Sequence, residues 1–433
     1  IQIYGLSESD KSFGEGTKPV LKIRQRGSSE ENWTATILSA NGTTVKRFEW
    51  RGSSPDAVVE WNGMTLDGSL APDGIYSYNI VGIDKAGNVS KTEVVQGILF
   101  SAQKPAVSVS LDGSKYFSPN GDGKKDSVNL LLNIPATPSP VLHLTSWALE
   151  ICGTEDEIVY RRVSGTGNVP TLFSFDGLKT DGSTLPDGSY IAKVYASYSN
   201  GYEASGIASP IFVLDTEPPS ATGSLGSSGF NGSRALDIAQ EALYEEPFIK
   251  GWTARIVRSS DGSEVRSFDF GTVLPSMVRW DGADESGSLA EDSDYCYELS
   301  GLDMAENAFK LTSASFTLDT SGTDLSLTLQ PEDFSPNGDG VKDAVTLYPL
   351  AKARTGIASY TLSITDKSGK TVKTFSGTDG VPSSILWDGV SDAGALCEDG
   401  EYNAVLKTLA KSGTKAESAV RKVRIDTAPL SLA

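Results

Sequence analysis

The chain has 433 residues and a formal net charge of −19 at pH 7. That length suggests roughly three or four domains, and that charge repels nucleic acid and anionic membrane surfaces. Hydrophobic residues make up only 38%, with 44 glycines and 20 prolines, and no apolar run reaches the roughly 20 residues a membrane-spanning helix needs. The profile is that of many short strands joined by tight turns. No basic–apolar–small leader opens the sequence. A start directly at Ile1 is expected of a fragment of a longer chain.

In chain order, Trp33 stands on the first strand pattern, and "SANGTT" (39–44) carries the Asn-Gly pair that supplies positive φ for a hairpin. "WNG" at Trp61 leads through the polar crossing "MTLDGSLAPDG" to "YSYNI" (76–80), which puts Tyr76, Tyr78 and Ile80 on one face. "FSAQKPAVS" (100–108) ends this stretch. Next come "FSPNGDG" (117–123), Trp147, "FDG" at Phe175, Tyr190 and "FVLDTEPPS" (212–220), whose prolines end a strand and stiffen the passage. A third stretch holds "GFNGSRALD" (229–237), the irregular "AQEALYEEPFIKG" (239–251), Trp252, "SSDGSE" (259–264), "WDG" at Trp280, "YCYEL" (295–299) and "FTLDTSGTD" (316–324). The fourth repeats "FSPNGDG" (334–340), then Tyr360, "TLSIT" (361–365), "DKSGKT" (366–371), "WDG" at Trp387, Tyr402 and the closing "RIDTAP" (424–429). That closing junction leads us to expect a further domain beyond it.

These anchors form one ruler. Tyr76, Tyr190, Tyr295 and Tyr402 each stand 15 residues after Trp61, Phe175, Trp280 and Trp387, and Trp33, Trp147, Trp252 and Tyr360 stand 27 or 28 before them. Internal repetition on such a scale marks an array. The expected fold is all-β: four tandem antiparallel β-sandwiches of immunoglobulin type in an elongated array, each of about seven strands. Their expected extents are residues 1–104, 105–217, 218–320 and 321–433, and the repeated aromatics are expected to fill the cores rather than stack on sugars.

The doubled loop "FSPNGDG" is dense in oxygen donors. In the fourth repeat Asn337, Asp339 and Asp343, with the Val341 carbonyl, follow the alternating rhythm of an EF-hand loop, with Ser335 at its first position and Gly340 at its glycine. In the second repeat the same places hold Asn120, Asp122, the Lys124 carbonyl and Asp126. The twelfth position falls on Thr346 or Asn129 instead of a bidentate Glu, and a strand follows in place of a helix, so a calcium shell needs further donors. Two readings stand: a calcium site, stronger at Asn337–Asp343 because Lys124 and Lys125 flank the other copy, or an Asx turn bonded to its own amides. Repeats one and three lack the acidic pair, as "SFGEGTKPV" (12–20) shows, which points to a structural ion rather than a catalytic one.

"FSPNGDGVKDAV" resembles the "F-x-P-N-G-D-G-x-N-D" opening of bacterial immunoglobulin-like domains of gliding-motility-associated and type IX-secreted proteins. "WDGVSDAGALCEDGEYNAVL" (387–406) is similar to the immunoglobulin-like domain of the flagellar hook-capping protein. Asp126 and Asp343 match the first pattern's last Asp, while Lys125 and Lys342 replace the Asn before it; Asn62 and "EDSDY" depart from the second. The resemblance implies an extracytoplasmic bacterial sandwich used in assembly, adhesion or secretion.

Nothing in the sequence assembles a catalytic constellation. His143 is the single histidine, and Glu155/Asp156/Glu157 and Glu245/Glu246 sit side by side on loops, whereas paired catalytic carboxylates converge from separate strands. Cys152, Cys296 and Cys397 fall one to a repeat, which forbids a disulfide within any repeat. The expected function is a non-enzymatic spacer and interaction module of a larger cell-surface, secreted or periplasmic protein, stiffened by calcium. Its partners would be other domains of the same chain or a surface protein or glycan, without nucleic acid or membrane insertion. The rival expectations are an adhesin with residues 239–251 as contact, or the accessory region of a secreted hydrolase.

Overall fold

The computed structural model describes residues 1–29, 32–243 and 248–429. Glu245, Glu246 and the centre of the 239–251 stretch lie outside the described residues. The chain forms two compact units, Ile1–Glu217 and Pro218–Ala433. Each unit contains two β-sandwiches with separate hydrophobic cores. The only helical element among the described residues is one 3-10 turn, Glu8–Lys11, and no helix is long and apolar enough to cross a membrane.

Period-2 alternation builds the sheets. Leu21–Arg26 reads "LKIRQR" and buries every other residue, as a strand with one face on a core must. In the second sandwich a three-stranded sheet runs Leu172–Phe175, Val128–Asn133, Ser108–Asp112. It faces a larger sheet ordered Tyr116–Phe117, Phe212–Leu214, Gly188–Tyr198, Leu144–Gly153, Val159–Gly165, with Glu203–Ala208 also paired to Gly188–Tyr198. The third and fourth sandwiches repeat this order; in the first, one strand, Glu93–Phe100, serves as both returning strands. These are the expected all-β sandwiches, with two corrections. The described residues give eight or nine strands per sandwich, not seven, and one pairing in each is parallel. That pairing joins Phe13 to Phe100, Phe117 to Leu214, Phe230 to Leu318 and Phe334 to Ile425.

The aromatic ruler is a set of core pins. Trp61, Phe175, Trp280 and Trp387 are each 1% exposed. Trp61, Trp280 and Trp387 meet the edges of Tyr76, Tyr295 and Tyr402 at ring distances of 5.0, 5.1 and 5.5 Å, the edge-to-face geometry that ring quadrupoles favour. Each buried phenol must place its hydroxyl. Tyr190, Tyr295 and Tyr402 donate to the carbonyls of Pro186, Glu291 and Glu398 at 2.6, 2.5 and 2.7 Å, and Tyr76 donates to the Pro72 carbonyl. The indoles of Trp61, Trp280 and Trp387 donate to the carbonyls of Met64, Ala283 and Val390. The second set of aromatics is buried at Trp33, Trp147 and Trp252. Tyr360 departs from the expectation: it is only half-buried at the rim of its core.

The four sandwiches alternate between two kinds. In the first and third, Tyr78 and Tyr297 donate across the core to buried Gln25 and Gln240, both at 2.6 Å; in the second and fourth, Ala192 and Ala404 occupy the equivalent places. Trp33 and Trp252 lie on Gly82 and Gly301, where a Cβ would approach the ring to 2.7 and 2.5 Å. Trp147 and Tyr360 instead lie on Gly165 and Gly377 of the neighbouring strand. The repeating unit is therefore a pair of sandwiches, and the two pairs correspond to the two compact units.

Gly301→Ala forces a methyl into the Trp252 ring and is expected to destabilise the third sandwich by about 1–3 kcal/mol, measured by denaturant unfolding. Burial holds the phenols of Tyr76, Tyr295 and Tyr402 above their ordinary range and pushes Tyr190 up to about 12. Their folded values are raised, so the stability they contribute is complete below the unfolded value of about 10 and is lost as pH rises beyond it. Absorbance of tyrosinate should therefore appear together with loss of near-ultraviolet dichroism between about pH 10 and 12. Titration of the buried phenols in a chain that stays folded would contradict the burial.

Candidate functional site

Both "FSPNGDG" loops hang from the two-residue parallel strands and fold identically. The Ser118 and Ser335 amides donate to the Lys125 and Lys342 carbonyls at 2.8 and 2.9 Å, closing each loop. The final carboxylate takes two amides: Asp126 accepts from Gly121 and Gly123 at 2.7 and 2.9 Å, and Asp343 from Gly338 and Gly340 at 2.9 and 2.7 Å. Asn120 and Asn337 Oδ1 accept from the amides of Asp122 and Asp339, and Asp122 and Asp339 Oδ1 from those of Lys124 and Val341. These are successive Asx turns. Gly121, Gly123, Gly338 and Gly340 adopt φ between 79° and 85°, the left-handed region glycine enters without strain.

The structure thus gathers Asn120, Asp122 and Asp126 into one loop and Asn337, Asp339 and Asp343 into the other, the Lys124 and Val341 carbonyls belonging to the same turns. No further acid joins either: among the described residues no group of three His, Cys, Asp or Glu is placed to hold a metal ion. Two carboxylates, a carboxamide and a carbonyl fall short of the six to eight oxygens of a calcium shell, and the side-chain oxygens already accept from backbone amides of their own loop. The turn itself is complete without an ion. Lys125 and Lys342 sit at φ 48° and 53°, where Asn is better tolerated than Lys. The Asn of the resembled pattern therefore answers a backbone requirement at this position.

The loop and the aromatic block touch. Pro119 and Pro336 lie on Gly177 and Gly389, the glycines of "FDG" and "WDG", where an added Cβ would come within 2.9 Å of the proline ring. The turn before each core tyrosine is tied to the chain's exit from the sandwich. Asp187 and Asp399 accept from the amide and hydroxyl of Thr216 and Thr427, Asp292 from the Thr320 amide, and Asp73 from Ser101 and Ala102. The recurrent "DG" and "DT" pairs are two halves of one clasp.

Sequence reasoning missed the place where the first sandwich joins the second. The loop after Phe13, counted above as a decayed copy of the acidic motif, docks on the turn 198–202: the Glu15 amide donates to the Asn200 carbonyl and the Thr17 amide to the Gly201 carbonyl, both at 3.0 Å. Gly16 and Gly201 meet backbone to backbone, since a Cβ on either would lie 2.2 or 2.4 Å from the other strand's carbonyl. Asn200, fully buried, donates to the carbonyls of Ser101 and Gln103 at 3.0 and 2.9 Å. The Gly-Glu-Gly run was the available signal. Elsewhere the candidates stay apart: His143 is exposed, and Cys152, Cys296 and Cys397 are free thiols.

No protein-family model matches the sequence, and no curated protein matches it. Among solved structures, the chain is similar to a tetra-tandem repeat in the extending region of a large adhesion protein, at 16% identity, TM-score 0.32 and 98% coverage of both chains. It is also similar to the FN1-FN3 domains of chicken CNTN1, at 11% identity and TM-score 0.28 over 73% of this chain and 97% of that one. A third likeness is to the fibronectin(III)-like modules of Clostridium thermocellum CbhA, at 10% identity and TM-score 0.27 over 47% and 93%. Likenesses of this size transfer no function.

Asp343→Ala hands the exposed Gly338 and Gly340 amides to water and should cost about 0.5–1.5 kcal/mol. Lys342→Asn relieves a left-handed lysine and should add about 0.5 kcal/mol or more. Amide exchange at Gly338 and Gly340 reads both: faster in the first variant, slower in the second.

Proposed function

We propose that the chain is a non-enzymatic spacer and assembly module of a larger extracytoplasmic protein, with calcium as an auxiliary ligand of its two acidic loops. The observation that supports this reading is where the repeated chemistry points. The aromatics pin the cores, the Asp–Thr pairs clasp the exits, and the loop oxygens accept from their own amides. Little of the repeated pattern is left over to bind or transform a substrate. The sequence motifs further suggest kinship with the hook-capping and gliding-motility immunoglobulin-like domains of bacteria.

In this reading calcium is held by Asn337, Asp339, Asp343 and the Val341 carbonyl, and more weakly by Asn120, Asp122, Asp126 and the Lys124 carbonyl. Its bound charge screens the two carboxylates and stiffens a loop that is already formed. An adhesin reading stands second, favoured by the open junction described below; a hydrolase's accessory region stands third.

Thermal melting with and without calcium tests the metal. A gain of about 1 kcal/mol corresponds to roughly 4–8 °C for a domain of this size, seen in the second and fourth sandwiches, the fourth's part of it abolished by Asp339→Ala with Asp343→Ala. Melting curves that ignore both calcium and the substitutions would remove calcium from the account. Exchanging the whole module for unrelated sandwiches of equal length tests the spacer: retained function of the parent protein supports it, and loss points to specific contacts.

A further inference from the structure

The two sandwich pairs share a junction design but close it differently. In the first pair the loop between Phe13 and Leu21 has seven residues and zips onto the turn 198–202. In the second pair the matching loop, between Phe230 and Leu236, has five. It reaches the equivalent turn, 410–414, through one long side-chain hydrogen bond, Asn231 Nδ2 to Thr414 Oγ1 at 3.3 Å. Thr355 props the joint from below: its methyl packs on Gly229 and its hydroxyl accepts from the Ser412 amide. The missing two residues leave a cleft of about 740 Å³ between the third and fourth sandwiches. That volume lies within the range of small-molecule sites, about 300–1,000 Å³.

The lining of the cleft runs against the charge of the chain. Arg234, Lys411 and Lys415 border it in a protein of net charge −19. Lys411 is paired with Asp379 at 3.3 Å, and the one acid on the wall, Asp237, is paired with Arg279 at 2.9 Å. Among the described residues no carboxylate pairs with Arg234 or Lys415. The remaining wall mixes polar Asn231, Ser233 and Ser412 with apolar Ala235 and Leu409, while Phe230 and Leu236 are buried. The Asn231 Oδ1 accepts from the Ser233 amide and hydroxyl, which leaves one Asn231 N–H and the Ser233 Oγ lone pairs for a ligand. Walls that alternate polar groups with small apolar patches suit a sugar ring, which presents hydroxyls and a C–H face together.

We infer that this cleft is a binding site for an acidic saccharide, with Arg234 and Lys415 taking its carboxylate or sulfate and Asn231 and Ser233 its hydroxyls. A guanidinium opposite an oxyanion forms paired, charge-assisted hydrogen bonds, and the three cations make a local positive spot on an otherwise acidic chain. The site is independent of the calcium loops and of the spacer role.

The test titrates the full chain calorimetrically with a uronate tetrasaccharide, a sulfated tetrasaccharide, neutral cellotetraose and an Asp-rich peptide. One or both acidic saccharides should bind, and the two arms separate carboxylate from sulfate. Arg234→Gln with Lys415→Gln, both exposed and unlinked to the core, should weaken that binding at least about tenfold. Lys85→Gln with Lys91→Gln, which removes equal charge elsewhere, should leave it unchanged. The inference is overturned if the first pair of substitutions has no effect, if the second pair weakens binding equally, or if cellotetraose binds as well. It is also overturned if only the peptide binds, or if no probe binds at millimolar concentration.

Discussion

Each sandwich depends on a buried phenol whose hydroxyl must find an acceptor four residues back along its own chain. That requirement fixes the turn before the tyrosine strand, because the acceptor carbonyl of Pro72, Pro186, Glu291 or Glu398 has to arch over the ring. The neighbouring Asp of the same turn is thereby placed to clasp the chain as it leaves the sandwich. In the first, third and fourth sandwiches the tryptophan opposite, tied by its indole to a carbonyl three residues on, sets the start of the same crossing loop. In those three, one aromatic contact governs core, loop and exit together; in the second, Phe175 and Tyr190 keep the same spacing and both pack on Phe212.

The alternation of sandwich types gives this design a second level. Tyrosine and glutamine bridge the sheets in the first and third cores, and the acidic loops belong to the second and fourth. A buried hydroxyl–carboxamide pair is satisfied only when both members are present, so the two types cannot exchange single residues. What the pairs do not share is the length of the loop at their inner junction, and two residues there separate a sealed joint from an open cleft bordered by three cations.

Much of this was legible because core packing writes itself into spacing. Tyr295, Tyr297 and Leu299, or Leu362 and Ile364, bury fully because alternation leaves them no other face. The hairpins followed from Asn41-Gly42, Asp261-Gly262 and Ser368-Gly369, whose glycines adopt the positive φ those pairs foretell. The parallel pairing of Phe117 with Leu214 was not legible, since a two-residue strand has no period and its partner lies 97 residues away. Tyr360 kept the register of its tryptophan counterparts but sits at the rim, where register says nothing about depth. The acidic loops were legible as donor clusters, yet which oxygens already serve their own amides depends on φ at Lys125 and Lys342. The cationic cleft was invisible because Arg234 and Lys415 lie 181 residues apart and no motif links them.

The central claim is that the repeated rings hold the interior and meet no ligand. Exchange of the indole N–H protons tests it most directly. Trp61, Trp280 and Trp387 should lose theirs only when their own sandwich unfolds, at the rate of its slowest backbone amides. Indole protons that exchange freely from the folded chain would place those rings at a surface and contradict the account.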